Sequence, residues 1–203
     1  MVITKIESQK NKDRVNIYID GNFAFGIMKE IQYKYNLTED MEVDEDYIKE
    51  VLIEEEQSKC NNFALRFLGY RQRSEKEVIE RLQRKGFEQD IIENTLSYLK
   101  NYGLIDDLEF AKSFMRDKIN INKHGPEKIK YDLYRKGISQ AIIEKVLDED
   151  DNEYARALKL AQKKLPSYKN DDKNAQYRKL GGFLQRRGYS SHCVYKILDK
   201  LIK

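Results

Sequence analysis

Arg84-Lys85-Gly86, Arg135-Lys136-Gly137 and Arg186-Arg187-Gly188 stand at a constant step of 51 positions, and no gap is needed to align them. Self-similarity at a fixed period marks a tandem repeat, and here it decides the fold. The match runs outward on both sides of the glycine. Val78/Ile129/Leu180 and Leu82/Leu133/Leu184 precede it, and Phe87/Ile138/Tyr189, Ile92/Ile143/Val194 and Leu96/Leu147/Leu198 follow it. Apolar residues at these separations have helical period, so the sequence predicts three copies of one helical unit. In each copy the glycine closes a helix in the left-handed conformation that a Cβ disfavours.

Helix punctuation divides each unit into three helices. The middle helix opens in the first copy at Ser74-Glu75-Lys76-Glu77, a capping box, and in the second at Gly125-Pro126, where proline suits the first helical turn. Ser139 and Ser190 are predicted N-caps of the last helix in copies two and three, with the acidic Glu88-Gln89-Asp90 stretch in their place in copy one. The first helices are marked by Ala64 to Phe67, Ala111 to Phe114 and Ala155 to Leu158. Between first and middle helices the connection lengthens from copy to copy, and Pro166 to Asn174 is read as the longest loop. Gly181-Gly182, inside a helical pattern, predicts close packing between helices.

A different pattern precedes the repeats. Residues 2–7 and 15–19 alternate, Asp20-Gly21 supplies a hairpin turn, and Phe23-Ala24-Phe25 continues beyond it, so three short antiparallel strands are expected. So small a sheet needs helices to cover its apolar face. A short helix from Met28 to Tyr35 and an acidic loop from Thr38 to Asp44 follow. A long helix then runs from about Glu45 to Tyr70, with Asp44 as N-cap and Tyr47, Val51, Leu52, Phe63, Phe67 and Leu68 as its apolar positions. The expected fold is mainly α: a tandem array of three three-helix, helix-turn-helix-like repeats behind a small antiparallel β leader. Its divisions are 1–44 for the leader, 45–105 for the linking helix and first repeat, 106–150 for the second and 151–203 for the third.

Composition narrows the function. Hydrophobic residues make up 40% of the 203 and suffice for a core, but no run approaches the about 18 apolar residues of a transmembrane helix. The start has no secretory signal, so a cytoplasmic protein without membrane partners is expected. Net charge is only +3, yet it is segregated. Residues 1–57 hold 7 Lys/Arg against 14 Asp/Glu, and residues 58–203 hold 31 against 21. The repeats are basic and the leader acidic, which favours a polyanionic or acidic partner for the repeats.

Catalytic chemistry finds little to work with. Cys60 and Cys193 lie far apart with only His124 and His192 as soft partners, and are read as buried thiols. No phosphate-binding G-x-x-x-x-G-K-[ST] occurs. Asp106-Asp107 and the Asp148 to Asp151 run fall where helices begin and are read as caps rather than metal ligands. Neither an enzyme nor a cofactor or metal is expected.

The positive chemistry is cationic. Arg81, Arg84 and Lys85 share a helix face roughly opposite Val78 and Leu82; the second copy offers Lys128, Arg135 and Lys136, and the third Lys179, Arg186 and Arg187. Stacked units would join these into a basic track, which is one reading. The other is structural, because cations near a helix C-terminus offset its dipole. Tyr131, Tyr134 and Tyr177 lie near these faces and offer stacking surfaces for bases or a protein.

From Ala64-Leu65-Arg66-Phe67-Leu68 through Arg71 to Gly86-Phe87, then Tyr102-Gly103-Leu104-Ile105-Asp106-Asp107 and Phe110-Ala111, the chain resembles the RecX family, regulators of the bacterial recombinase RecA. Ile19-Asp20-Gly21 with Phe23-Ala24-Phe25-Gly26 is similar to that family's N-terminal region. Lys123-His124-Gly125-Pro126, followed by Leu133 and Lys136-Gly137, is similar to its second repeat. The resemblance implies a monomeric array of three-helix units lying in the groove of the RecA filament on single-stranded DNA, restraining strand exchange, cleavage and ATP hydrolysis. It carries over no catalytic residue. Phe183 stands where Arg81 and Asp132 stand in the other copies, so the third unit is expected to dock differently, and the acidic leader suits a basic protein surface. Two alternatives remain on the residues alone: a stand-alone DNA-binding protein using helix-turn-helix-like repeats, and a scaffold for acidic proteins.

Overall fold

Asp20 and Gly21 both take positive φ, 48° and 82°, as a tight hairpin turn requires, and fold β2 (Arg14–Ile19) back onto β3 (Asn22–Met28). β1 (Ile3–Ser8) pairs with the other edge of β2, Ile3 opposite Ile19, giving an antiparallel sheet of order β1-β2-β3. Ile3, Val15, Ile17 and Ile27 are buried with Ile31 of α1 (Lys29–Lys34), Leu37, Val43 and Val51. Each such side chain contributes about 1.5–3 kcal/mol by leaving water, which is how helices make the small sheet stable.

The structure is a computed structural model that describes residues 1–148, 150 and 152–202. Contacts gather the chain into two units, Met1–Arg71 with Ile79–Tyr102, and Gln72–Val78 with Gly103–Lys203. The first unit holds the sheet, α1, α2 (Glu45–Leu68), most of α3 (Glu75–Lys85) and α4 (Gln89–Asn101). Asp44 caps α2, its carboxylate accepting from the Tyr47 N–H at 2.8 Å. Buried Glu55 fastens this helix to the sheet: it accepts from the Met28 N–H at 2.7 Å and pairs with Arg14 Nη1 at 2.9 Å. Against α4 the same helix makes a polar knot, in which Gln57 Nε2 donates to Thr95 Oγ1 at 2.8 Å and Thr95 Oγ1 donates to Asn61 Oδ1 at 2.7 Å. The α2 core face is Val51, Glu55, Cys60 and Ala64. Leu52, expected among its apolar core positions, is instead exposed beside Ile53.

The second unit holds the first turn of α3, then α5 (Asp107–Asn120), α6 (Pro126–Arg135), α7 (Gln140–Asp148), α8 (Glu153–Lys164), α9 (Lys173–Arg186) and α10 (Ser191–Ile202). The fold is mainly α, three tandem three-helix repeats behind a small antiparallel sheet. All six residues Val78, Ile129, Leu180, Leu82, Leu133 and Leu184 are completely buried, as their recurrence predicts. Helix ends follow the expected chemistry: the Ser74 and Glu77 box closes at 3.3 and 3.4 Å, Ser139 and Ser190 accept from Ile142 and Cys193 N–H groups, and Asp106 accepts from those of Leu108 and Glu109. Glu88 takes the N-cap place of α4 with extended backbone but makes no side-chain cap bond.

Other expectations need revision. In α8 the buried small residues are Ala157 and Ala161, whereas Ala155 is exposed, a register set by packing against α9 and α10 rather than by the alanine motif. The connection read as a loop from Pro166 to Asn174 contains a 3-10 turn over Leu165–Tyr168, and α9 already begins at Lys173 because Asp172 caps it through the Ala175 N–H. Within the acidic run at 148–151, Asp150 pairs with Arg156; Glu149 and Asp151 lie outside the described residues. Gly181 does permit close packing, since a Cβ there would meet Leu198 at 3.1 Å, but Gly182 faces only the tip of Arg186 on its own helix.

Candidate nucleic-acid interface

A helix leaves N–H groups unpaired at its start and carbonyls unpaired at its end. The second unit joins such ends twice. The Arg187 and Gly188 carbonyls at the end of α9 accept from the Gly125 and Glu127 N–H groups at the start of α6, at 2.8 and 3.0 Å. One repeat earlier, the Lys136 carbonyl beyond the end of α6 accepts from Ser74 Oγ at 2.8 Å, and the Arg135 carbonyl from Lys76 Nζ at 3.3 Å. Ser74 and Gly125 are themselves 51 positions apart. Within the second unit these joints also bring opposite dipole ends together.

These joints divide the predicted basic residues by position in the triplet. The first cation is exposed in every copy: Arg84, Arg135 and Arg186. The second is consumed where a preceding repeat exists, Lys136 by Glu77 Oε1 at 2.6 Å and Arg187 by the Asn122 carbonyl and the Phe183 ring. Lys85 has no earlier repeat to grip and is exposed, its Nζ 5.9 Å from the Phe63 ring centre. Arg81 lies over Phe63 and Phe67 at 5.4 and 5.7 Å. Lys128 is half-buried where Gly188 meets it, and Lys179 pairs with Asp171 at 2.6 Å. Arg81, Arg84 and Lys85 therefore belong to the first unit and the other six predicted residues to the second.

Of the richest cluster, sequence reasoning named Tyr177, Lys179 and Arg186 but missed Arg178, Tyr168 and Tyr195. Arg178 stands next to Lys179 and eight positions, about two helical turns, before Arg186 on α9, and that spacing is the signal that could have found it. On one side of Arg178 lies a cleft of about 310 Å³ between α9 and α10, walled by Tyr177 and Tyr195, which are 39% and 62% exposed. Among the described residues no carboxylate lines it. On the other side a second cleft, about 510 Å³, is lined by Tyr168, Arg178, Lys179 and Arg186. Arg178 makes no ion pair among the described residues. Open guanidinium groups beside exposed aromatic rings can hold phosphates and stack bases together.

Nothing described points to covalent or metal chemistry. Among the described residues no three His, Cys, Asp or Glu side chains gather as a metal shell, and no helix is long and apolar enough to cross a membrane. Burial pushes the Cys193 thiol up to about 11 and raises that of Cys60, so both stay protonated and unreactive.

Family models match most of the chain: the regulatory protein RecX N-terminal domain over residues 1–44, and the RecX first, second and third three-helix domains over 60–99, 106–147 and 150–198. The chain belongs to the RecX family. A regulatory protein RecX of Clostridioides difficile (strain 630) is 37% identical over 99% of this chain and 96% of that protein. Another, from Clostridium perfringens (strain SM101 / Type A), is 39% identical over 98% and 95%. Among solved structures, a regulatory protein RecX superposes with a TM-score of 0.80 at 32% identity over 98% of both chains. RecX from Lactobacillus salivarius gives 0.68 at 30%, covering 72% of this chain and 96% of its own. Each matched RecX three-helix domain contains one copy of the basic triplet, so the exposed arginine occurs once per RecX repeat.

Proposed function

We propose that this chain regulates RecA by binding its filament on single-stranded DNA, mainly inhibiting recombination, ATP hydrolysis and coprotease activity. The observation that carries the reading is the exposed arginine repeated at one place in each repeat, Arg84, Arg135 and Arg186, while the neighbours of the last two, Lys136 and Arg187, are spent on joints within the second unit. A filament offers a periodic target, and a periodic set of weak contacts acts on it with shared avidity. Membership of a family of regulatory proteins agrees.

RecA-catalysed ATP hydrolysis and strand exchange on single-stranded DNA test this directly. Wild-type protein inhibits both, and the Arg84→Glu/Arg135→Glu/Arg186→Glu variant, shown by thermal unfolding to be folded, inhibits weakly. Unchanged RecA activity at saturating protein refutes the reading. The Arg178 clefts favour a second reading, direct DNA binding through the third repeat, for which affinity for bare single strands is independent of RecA and falls steeply with salt.

A further inference from the structure

Helix α2 is apolar on two sides. Tyr47 and Val51 join the core under the sheet, whereas Leu52 and Ile53 are 40% and 53% exposed. With Ile48 and the floor residue Ile91 of α4 they line a trough of about 420 Å³. Glu45, Glu56 and Glu88 rim it against one cation, Lys49. The α2 members, Glu45, Ile48, Lys49, Leu52, Ile53 and Glu56, follow one another at three- and four-residue spacing, so the trough runs along the helix for about three turns.

An apolar strip exposed inside a polar rim marks an interaction site, and its length along a helix suits a partner helix laid beside it. Charge chooses among partners. Residues 1–57 carry 14 acidic against 7 basic side chains, a field that repels nucleic acid and anionic membrane and attracts cations. Glu56 is 3.6 Å from Lys59, an exposed pair that opens at little cost when a stronger cation arrives.

We infer that this trough binds a basic amphipathic α-helix of a protein partner. The helix seats its apolar stripe on Leu52, Ile53 and Ile91 and sets Lys or Arg residues against Glu45, Glu56 and Glu88. The site is acidic and apolar where the arginines above are cationic, so it recognises a different kind of surface and does not depend on DNA or filament binding.

The test uses the full chain and a fluorescein-labelled synthetic peptide with leucines on one helical face and lysines flanking them, followed by anisotropy. Two further peptides serve as controls, a scrambled one of identical composition and one with glutamate for each lysine. The helical lysine peptide is expected to bind at least about tenfold more tightly than either control, and the Leu52→Gln/Ile53→Gln variant to lose about tenfold in affinity. Glu45→Gln/Glu88→Gln, which leaves the apolar floor intact, weakens binding and flattens its salt dependence. Absence of binding, equal affinity for the scrambled peptide, or affinity untouched by both variants overturns the proposal. So does sedimentation showing that the wild type self-associates and the Leu52→Gln/Ile53→Gln variant does not, which would make a second copy the occupant.

Discussion

Lys136 Nζ sits 2.6 Å from Glu77 Oε1, with the two side chains 28% and 19% exposed, and this pair ties the second basic triplet to the start of the first repeat's middle helix. Half-removed from water, such a pair is screened less than a surface one, and the Ser74 hydroxyl fixes the Lys136 carbonyl beside it at 2.8 Å. Adjacent cations in one motif thus have separate tasks, Lys136 for cohesion and Arg135 for solvent.

Stability measurements distinguish the two. Lys136→Met is expected to cost about 1 kcal/mol in urea unfolding, with a comparable coupling to Glu77→Gln in a double-mutant cycle. Arg135→Met is expected to stay within about 0.5 kcal/mol of wild type. Equal effects of Lys136→Met and Arg135→Met would remove the joint from the account.

The repeated glycines rank by what surrounds them. All three have positive φ, so alanine at any of them carries a strain of about 1–2 kcal/mol. At Gly86 nothing lies within 4 Å of the added methyl, and the strain is the whole cost. At Gly137 the methyl would lie 2.6 Å from Lys76 Cβ, and at Gly188 it would overlap the Lys128 backbone. Gly137→Ala and Gly188→Ala are therefore expected to cost about 3 kcal/mol or more. Melting curves that place Gly86→Ala beside Gly188→Ala would contradict the head-to-tail joint.

How far the sequence reveals this is clear at particular residues. Ser74, Glu77, Asp44 and the triplet glycines act through neighbours within a few positions, so their chemistry is written locally and the helix ends were legible. Lys136 and Glu77 are 59 positions apart, and only tertiary stacking shows that the second cation is inward in the second and third triplets and exposed in the first. Leu52 failed for another reason: α2 is apolar on two faces, and periodicity cannot say which of them meets the sheet. In the third repeat, Asp172 starts α9 at Lys173 and the 3-10 turn continues α8, both inside a stretch whose polarity reads as a loop. Arg178 was visible eight positions before Arg186, but the cleft beside Tyr195 depends on how α10 packs and the other on the 3-10 turn that brings Tyr168 to α9.

His124 gives the joint a pH dependence. Burial lowers its pKa from 6.5, Lys128 and Lys118 add to the effect, and Asp132, at 4.0 Å, opposes it. In the folded state the imidazole stays neutral at a pH where the unfolded chain has already taken a proton. The unfolded state then binds more protons, so stability is full above pH 6.5 and declines as pH falls from there toward the lowered folded value. The unfolding midpoint is expected to drop over that window in the wild type and to drop less in His124→Gln. Identical pH profiles for the two proteins would exclude His124 as the source.

Tyr195 is 62% exposed beside Arg178 and supports none of the core, so its removal tests recognition without disturbing folding. If bases stack in the cleft, Tyr195→Ala weakens binding to a labelled oligothymidylate by about 1–3 kcal/mol, and Tyr195→Phe preserves it. Arg178→Gln acts differently, lowering the slope of log affinity against log salt by about one, because one phosphate contact and its released counterion are lost. Tyr33, 70% exposed on α1, provides the control substitution. Should Tyr195→Ala bind like Tyr33→Ala, the rings beside Arg178 would be bystanders, and any affinity of the third repeat for single strands would rest on charge alone.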